Sequence, residues 1–546
     1  MNRDTIGAVA AYHHRTKHDF DRYARSPGYM DWANQPDPFR RYNGTETLAL
    51  PFLDADPEAD HAALYRSSLK PEPFGLETVA GFLELSVGLS AWKAYGNSRW
   101  SLRMNPSSGN LHPTETHLLM PPMPGIEPGV YHYRVIEHAL ELRAVPEPET
   151  WQGIRNHMGG NGFLVGLTTI FWREAWKYGE RAFRYCNHDV GHALAALRFS
   201  AGLFGWRLFL LGGMSDRDIE ILLGLDRTPW HPGEEEHPDL VAFVCATGDP
   251  PCARELPETV LERFASAPYI GKPAPLSRRT RRWEIIEETA DKTRKPRTET
   301  PEMVEVRQPL QRETREEAVL GAAQIIRRRR SATAFDPDAT MDQGSFFSML
   351  DRTLPRSTDA PFDVGLGPPA VHLAVFVHRV AGVPPGIYLL VRDEAEGDVL
   401  REECDSGFFW HRVRNGFPLF LLRSGDVRVE AIEVSCHQEI AGFSAFSVGM
   451  LGRFSEVFRS GPHRYRHLFW ETGMIGQVLY LEAEARGYRG TGIGCFFDDP
   501  VHAMLGLATD TFQSLYHFTV GAPVEDPRLT THPPYFHLEE NHDSRT

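Results

Sequence analysis

"GHALAALRFSAGLFGWRLFLLGGMSDRDIEILLGL", residues 191–225, aligns without a gap to residues 473–507, "GMIGQVLYLEAEARGYRGTGIGCFFDDPVHAMLGL". Gly191, Gly205, Gly212 and Gly224 fall on Gly473, Gly487, Gly494 and Gly506, while Arg207 and Asp216 fall on Arg489 and Asp498. The apolar positions keep one helical period in both copies, and each helix should end at a left-handed glycine, Gly205 or Gly487. Further out, "PGVY" at 128–131 matches "PGIY" at 385–388, and "FVCATG" ending at Gly248 matches "HFTVG" ending at Gly521. The chain therefore reads as a tandem duplication. Each copy runs helix, strand, alanine- or leucine-rich helix and closing strand, an α+β pattern. Units that leave an apolar face uncovered should pack together as a two-fold pseudo-dimer, by the self-complementary logic of isologous dimers. The expected boundaries are an N-terminal extension over 1–62, a first unit over 63–270, a linker over 271–308 and a second unit over 309–546. The linker is rich in charge and proline, so it should be exposed or wrap over the surface.

Composition limits what such a chain can do. With 546 residues, 41% hydrophobic and 24% charged, it is globular and long enough for two or more domains with sizeable cores. A formal net charge of -15 opposes general nucleic-acid binding, which needs a basic surface. No apolar run reaches the roughly 18 residues of a membrane span, and "MNRDTIGAVAAYHHRTKHDF" lacks a signal-peptide core, so no membrane partner and a cytoplasmic location are expected. The six cysteines form no CxxC pair, which points to reduced thiols rather than a disulfide framework or zinc ribbon.

"RMNPSSGNLHPTETHLLM", residues 103–120, places Arg103, Pro106, Ser107, Ser108 and Asn110 at the mouth of a buried strand. A plain turn needs one or two such small polar residues, so this loop reads as facing a ligand, with a helix cap as the plainer reading. "GTGIG" hints at a dinucleotide turn, but it follows a helix rather than opening one after a strand. Cys186, His188 and His192 have spacing that could hold a metal, though a helix packing its histidines on the neighbouring half accounts for them better; no metal is expected.

"RMNPSSGNLHPTE", "GVYHYRVIEHALE" and "KYGERAFRYCNHDVGHALAAL" together resemble the SagB-type dehydrogenases of the FMN-dependent nitroreductase superfamily, over roughly residues 60 to 250. The second copy, from "RRRRSATAFDPDATM" to "VGAPVEDPR", resembles a more generic nitroreductase half. The resemblance implies two tandem nitroreductase-like α/β/α sandwich units with FMN at the interface between halves. Ser107, Ser108 and Asn110 would meet the flavin from one side. Arg329 and Ser331 of an Arg-x-Ser motif, Gly492 and Gly494, and Arg528 as a phosphate ligand would meet it from the other. Thr333 stands where the family often has a basic residue. Opposite "PSSGN" the second copy reads "PFDVGLGPP" at 361–369, so one of the two pseudo-symmetric sites should be impaired. "RSSLK", with Arg66, Ser68 and Lys70, retains the Arg-x-Ser-x-Lys form and so the elements of a second flavin site.

In azoline-oxidising SagB-type enzymes a Lys-Tyr pair is implicated in catalysis, and Lys177 and Tyr178 match it residue for residue; the second copy has Arg459 and Ser460 there. Lys177 is expected to lower the Tyr178 phenol's pKa and make it a base near neutrality. The resemblance thus implies a dehydrogenase acting on an azoline-type heterocycle or a related small or peptide-borne substrate. An NAD(P)H-dependent nitro or quinone reductase is the alternative, and a flavin-binding or flavin-less scaffold for a partner enzyme is a third reading. Whether the pseudo-dimeric chain also pairs as a homodimer stays open.

Overall fold

The computed structural model describes residues 3–66, 69–246, 251–299 and 320–538. Two seven-stranded sheets dominate it, and six of their seven positions match in chain order, the edge strand being the exception. The first runs, in spatial order, Thr47–Ala49, Ala139–Ala144, Gly129–Arg134, Thr114–Met120, Gly162–Thr169, His237–Cys245 and Arg207–Leu210. The second runs His411–Arg414, Phe417–Ser424, Gly386–Leu390, Val371–Val377, Phe446–Arg453, Phe512–Gly521 and Arg489–Ile493. All these pairings are antiparallel. Thr114–Met120 and Val371–Val377 are buried at every residue; the second reads as a nearly continuous apolar run, whereas the first buries Glu115 by pairing it with Arg173 and His132. Helices cover the sheets, so each repeat is a mixed helix and sheet unit, as the repeat pattern implies.

Between the sheets lie the two longest helices, Ala182–Leu203 and Arg464–Ala485, which contain the aligned stretch. Gly205 (φ 69°) and Gly487 (φ 76°) follow them in the left-handed region. The helices meet at the matched glycines. A Cβ on Gly473 would run into the His188 carbonyl oxygen, and one on Gly191 into the Trp470 carbonyl oxygen. This backbone contact lets Trp470, Met474, Val478 and Leu481 of the second half enter the core of the first, with Ala322, Ile325 and Ile326 beside them. The two units therefore share one core rather than touching across a wet seam.

The extension and linker differ from expectation in carrying the repeat themselves. Helix Arg3–Arg15 leads into Thr16, whose hydroxyl donates to the Tyr12 carbonyl (2.9 Å). Helix Glu284–Lys292 leads into Thr293, whose hydroxyl donates to the Thr289 carbonyl (2.7 Å). Two residues on, His18 N–H donates to the Asp498 carboxylate and Lys295 N–H to that of Asp216, both at 3.0 Å, while each aspartate's N–H donates back to the same residue's carbonyl. Asp216 and Asp498 are repeat equivalents, and so are the buried arginines that clasp them, Arg466 (2.8 Å) and Arg184 (2.7 Å). Each copy's leading arm thus docks on the other unit. The match is short, Arg15-Thr16-Lys17 against Lys292-Thr293-Arg294, because only the residues that touch the aspartate pocket are constrained. At the far end Thr530–His532 adds a strand to Leu89–Tyr95 of the first unit. No described helix is long and apolar enough to cross a membrane.

Candidate active site

A cleft of about 670 Å³ opens between the halves, within the range of small-molecule sites. Arg103, Pro106, Ser107, Ser108 and Asn110 line one wall, and Arg329, Ser331, Gly492 and Gly494 another. The sequence-predicted elements of the composite site are therefore brought together. The loop that opens this wall is backbone-strained: Gly109 (φ 57°), Asn110 (φ 59°) and His112 (φ 52°) all lie in the left-handed region. Side chains over-determine it. Ser107 Oγ accepts from His112 N–H (2.8 Å), Asn110 donates to the Ser101 carbonyl (2.8 Å), and Ser108 N–H and Oγ donate to Asp189 (3.0 and 3.2 Å). Opposite, Ser331 Oγ meets Tyr480 Oη (2.9 Å), which also accepts from Gly492 N–H (3.0 Å). Bare glycine is required at Gly492 because Tyr516 Oη occupies the space of a Cβ.

The wall is cationic and dry. Arg329 is buried, donating to the carbonyls of Met104 and Arg103 at 3.0 Å each and lying over the Tyr480 ring. Arg330 donates to the Ser90 carbonyl (2.9 Å), and Arg103 to that of Pro38 (2.5 Å). Among the described residues none of these three guanidinium groups forms an ion pair with a carboxylate. Burial lowers all three, Arg103 and Arg330 to about 10. Three desolvated cations held only by carbonyl dipoles are incomplete without an anion. A phosphate carrying about two charges supplies one, and the backbone at Gly492 and Gly494 lines the cleft beside these cations, so the residues present fit FMN.

Lys177 and Tyr178 end helix Phe171–Tyr178, and of the two Tyr178 lines the cleft. A Cβ on Gly109 would lie 2.5 Å from Tyr178 Oη and 3.1 Å from Lys177 Nζ, so the strained loop rests on the pair. The expected acidification of the phenol is overturned. Burial, then the charges of Glu174, Tyr185 and Asp189, push Tyr178 well above the ordinary tyrosine value. Lys177 Nζ is 5.2 Å from the ring centroid and faces a site richer in acids than the sequence indicated. Asp189, which lines the cleft, is raised by burial to about 7 despite its bonds from Ser107 and Ser108. Glu174 is completely buried, neither carboxyl oxygen has a hydrogen-bond partner, and burial followed by Asp189 raises it well above the carboxylate range.

Other sequence candidates lie elsewhere. Arg528 does not line the cleft; it is exposed and holds Asp526 (2.7 Å), whereas buried Arg329 and partly buried Arg330 do line it. Arg66 and Lys70 are exposed and outside the cleft, and Ser68 lies outside the described residues. His188 Nε2 donates to the Leu515 carbonyl (3.0 Å) and His192 meets Gln477 and Tyr516 (3.3 Å each), so both face the second half rather than a common ligand with Cys186. Asp189, Arg330, Tyr480 and Tyr516 escaped sequence reading. Asp189 carried a signal: Tyr185, Asp189 and His192 follow i, i+4, i+7 on the central helix.

The pseudo-symmetric counterpart is filled. Asp363, from the segment that replaces "PSSGN", is fully buried and accepts a bidentate pair from Arg198 (2.8 and 2.6 Å), with Arg207 at 3.5 Å. Glu471, the equivalent of Asp189, is ion-paired to buried Arg392. The second arm crosses the matching glycine turn, with Thr298 N–H and Oγ donating to the Gly213 and Gly212 carbonyls (3.2 Å each). Cavities of about 70 and 40 Å³ lie there.

No protein-family model matches the chain. The trifolitoxin-processing protein TfxB of Rhizobium leguminosarum bv. trifolii is 30% identical over 131 residues, 22% of this chain and 35% of that protein, so the match spans about a third of the curated relative. A provisionally assigned nitroreductase of Anabaena variabilis ATCC 29413 superposes with a TM-score of 0.69 and 21% identity, over 95% of this chain and 99% of that one. The chain has the nitroreductase fold, with two units in tandem.

Proposed function

We propose that the chain is an FMN-dependent oxidoreductase of the SagB dehydrogenase type, oxidising an azoline-type heterocycle or related small substrate, free or peptide-borne. One observation carries the reading: buried Arg103 and Arg329 and partly buried Arg330, none ion-paired to a carboxylate among the described residues, border a cleft where the Ser107–Asn110 loop faces Ser331 and Gly492. Arg329 and Arg330 would clamp the phosphate, and Gly492 and Gly494 would let backbone approach the ring. When bound, FMN supplies a hydride acceptor at N5. Asp189, poised near pH 7, is placed to take the proton that leaves the substrate, while neutral Tyr178 donates a hydrogen bond at the reacting atom. The relative named for trifolitoxin processing supports a peptide-borne substrate.

A second reading, NAD(P)H-dependent reduction of nitro or quinone compounds, is favoured by the high phenol pKa, since reduction needs a proton donor. Two measurements test the proposal. Denaturation should release FMN, identified by mass and absorbance; FAD, or no flavin after reconstitution, overturns it. Anaerobic reduction of the flavin by an azoline-bearing peptide but not by NADH or NADPH supports the dehydrogenase, and the reverse pattern supports the reductase.

A further inference from the structure

Beside the cleft, three chain segments bring sulfur and imidazole together. Cys495 follows Gly494 and lines the cleft. Its Sγ lies 2.7 Å from Cys436 Sγ and 3.6 Å from His18 Nδ1, while Cys436 Sγ lies 4.0 Å from the same nitrogen. Cys436 and His437 hold consecutive left-handed backbones (φ 55° and 57°), uncommon for residues with a side chain. Gln438 fastens this turn by donating to the carbonyls of Ser435 (2.9 Å) and Cys495 (3.0 Å), and Phe497 N–H donates to the Val434 carbonyl (2.8 Å). The strained turn is thereby clamped with its thiol against Cys495. Both cysteines are only partly buried, and Cys495 but not Cys436 lines the cleft, so a small molecule there meets Cys495 first.

Magnitudes separate two uses of such a cluster. A tetrahedral zinc with Zn–S of about 2.3 Å would require the sulfurs to open to roughly 3.7 Å. A disulfide requires them to close by only roughly 0.7 Å. We infer that Cys495 and Cys436 form a thiol–disulfide exchange site whose substrate class is a small disulfide entering the cleft, with Cys495 attacking and Cys436 resolving. The Cys495 thiolate attacks one sulfur of the substrate and expels the first thiolate, leaving a mixed disulfide. Cys436 then loses its proton to that thiolate, attacks Cys495 Sγ and expels the second, so one disulfide is reduced to two thiols as the protein dithiol becomes a disulfide. The hydrogen bond from Cys436, with His18 beside it, holds the Cys495 thiol down at about 5, and the same bond followed by burial pushes Cys436 up, which sets that order of attack.

The inference is independent of the flavin reading, and the experiment uses full-length protein both FMN-loaded and stripped. After incubation with oxidised glutathione, acid quench, alkylation and peptide mass mapping, the expected product links Cys436 to Cys495 in both preparations. Exposed Cys252 serves as an internal reference for unassisted reactivity. Cys436→Ser should accumulate glutathione on Cys495 faster than on Cys252, and Cys495→Ser should leave Cys436 unmodified. A wild-type chain that forms no such link, a Cys495→Ser chain that modifies Cys436 as fast as the Cys436→Ser chain modifies Cys495, or one equivalent of zinc that shields both thiols until chelated, overturns it.

Discussion

The open cleft and its filled counterpart descend from the same repeat, and they differ in where the counter-charges sit. In the open cleft the cations Arg103, Arg329 and Arg330 have only carbonyl partners. In the filled one a single aspartate, Asp363, neutralises Arg198 and closes on Arg207. A buried charge must find a partner, either within the chain or from a ligand. On the proposed reading, the repeat has kept one half-site that takes an anion from outside and converted the other into internal structure. Thr298 of the second arm caps the glycine turn on the filled side, whereas the equivalent carbonyl, that of Gly494, accepts from Tyr185 Oη (3.0 Å) and Arg181 (3.3 Å) at the edge of the open cleft.

Four measurements would sharpen or break this contrast. The largest effect is expected at Tyr178, for which the filled side offers only exposed Ser460. Tyr178→Phe should keep flavin content yet lower turnover by about 10²- to 10⁴-fold, as loss of a proton-handling group does; anaerobic flavin reduction by NADPH that ignores the substitution would assign the chemistry to the reductase. Next, Asp363→Ala should cost about 3–5 kcal/mol in urea unfolding, because it strips a buried bidentate pair from Arg198, while leaving one flavin per chain. A gain to two flavins would show that the filled side is a latent site and not structure.

Smaller still, Arg329→Ala should weaken FMN binding by about 10- to 100-fold, the worth of a charge-assisted hydrogen bond of about 1.5–3 kcal/mol, with Arg329→Lys in between. Fluorescence titration of apoprotein measures it, and unchanged affinity would return the phosphate to exposed Arg528. The smallest effect is in pH dependence. Asp189 has a folded pKa raised to about 7, above its unfolded value near 4, so the folded state binds the extra proton and stability falls as pH rises from about 4 to 7. Asp189→Asn should flatten that slope, with a net gain of about 1 kcal/mol at pH 8 after the charge-assisted bonds from Ser108 are lost. Glu471→Gln, on the filled side, should destabilise at both pH values because it breaks the pair with Arg392. Thermal melts at pH 5 and 8 decide between them, and equal slopes for wild type and Asp189→Asn would remove Asp189 from the proton path.

The sequence by itself determined the duplication, the helix ends at Gly205 and Gly487, and the membership of the open cleft from Arg103 through Gly494. The duplication and the helix ends follow from short-range rules, helical period and left-handed glycines, and the Ser107–Asn110 loop from small polar residues at a strand mouth; Arg329, Ser331, Gly492 and Gly494 were named only through the family resemblance, and Asp189, Arg330, Tyr480 and Tyr516 were not named at all. It also showed, through "PFDVGLGPP", that one half-site had lost its serines and asparagine. What filled that side was beyond it, since Asp363, Arg198 and Arg207 lie over 150 positions apart and meet only when the halves pack. The exchange of arms was equally hidden, because the docking is specified by three residues in each arm and an aspartate in the opposite unit. The phenol illustrates the limit most directly. Lys177 beside Tyr178 argued for an easily ionised base, but burial and the approach of Glu174 and Asp189 from other turns reversed the sign. Protonation depends on desolvation and on every charge within a few ångströms, and only tertiary structure sets those distances.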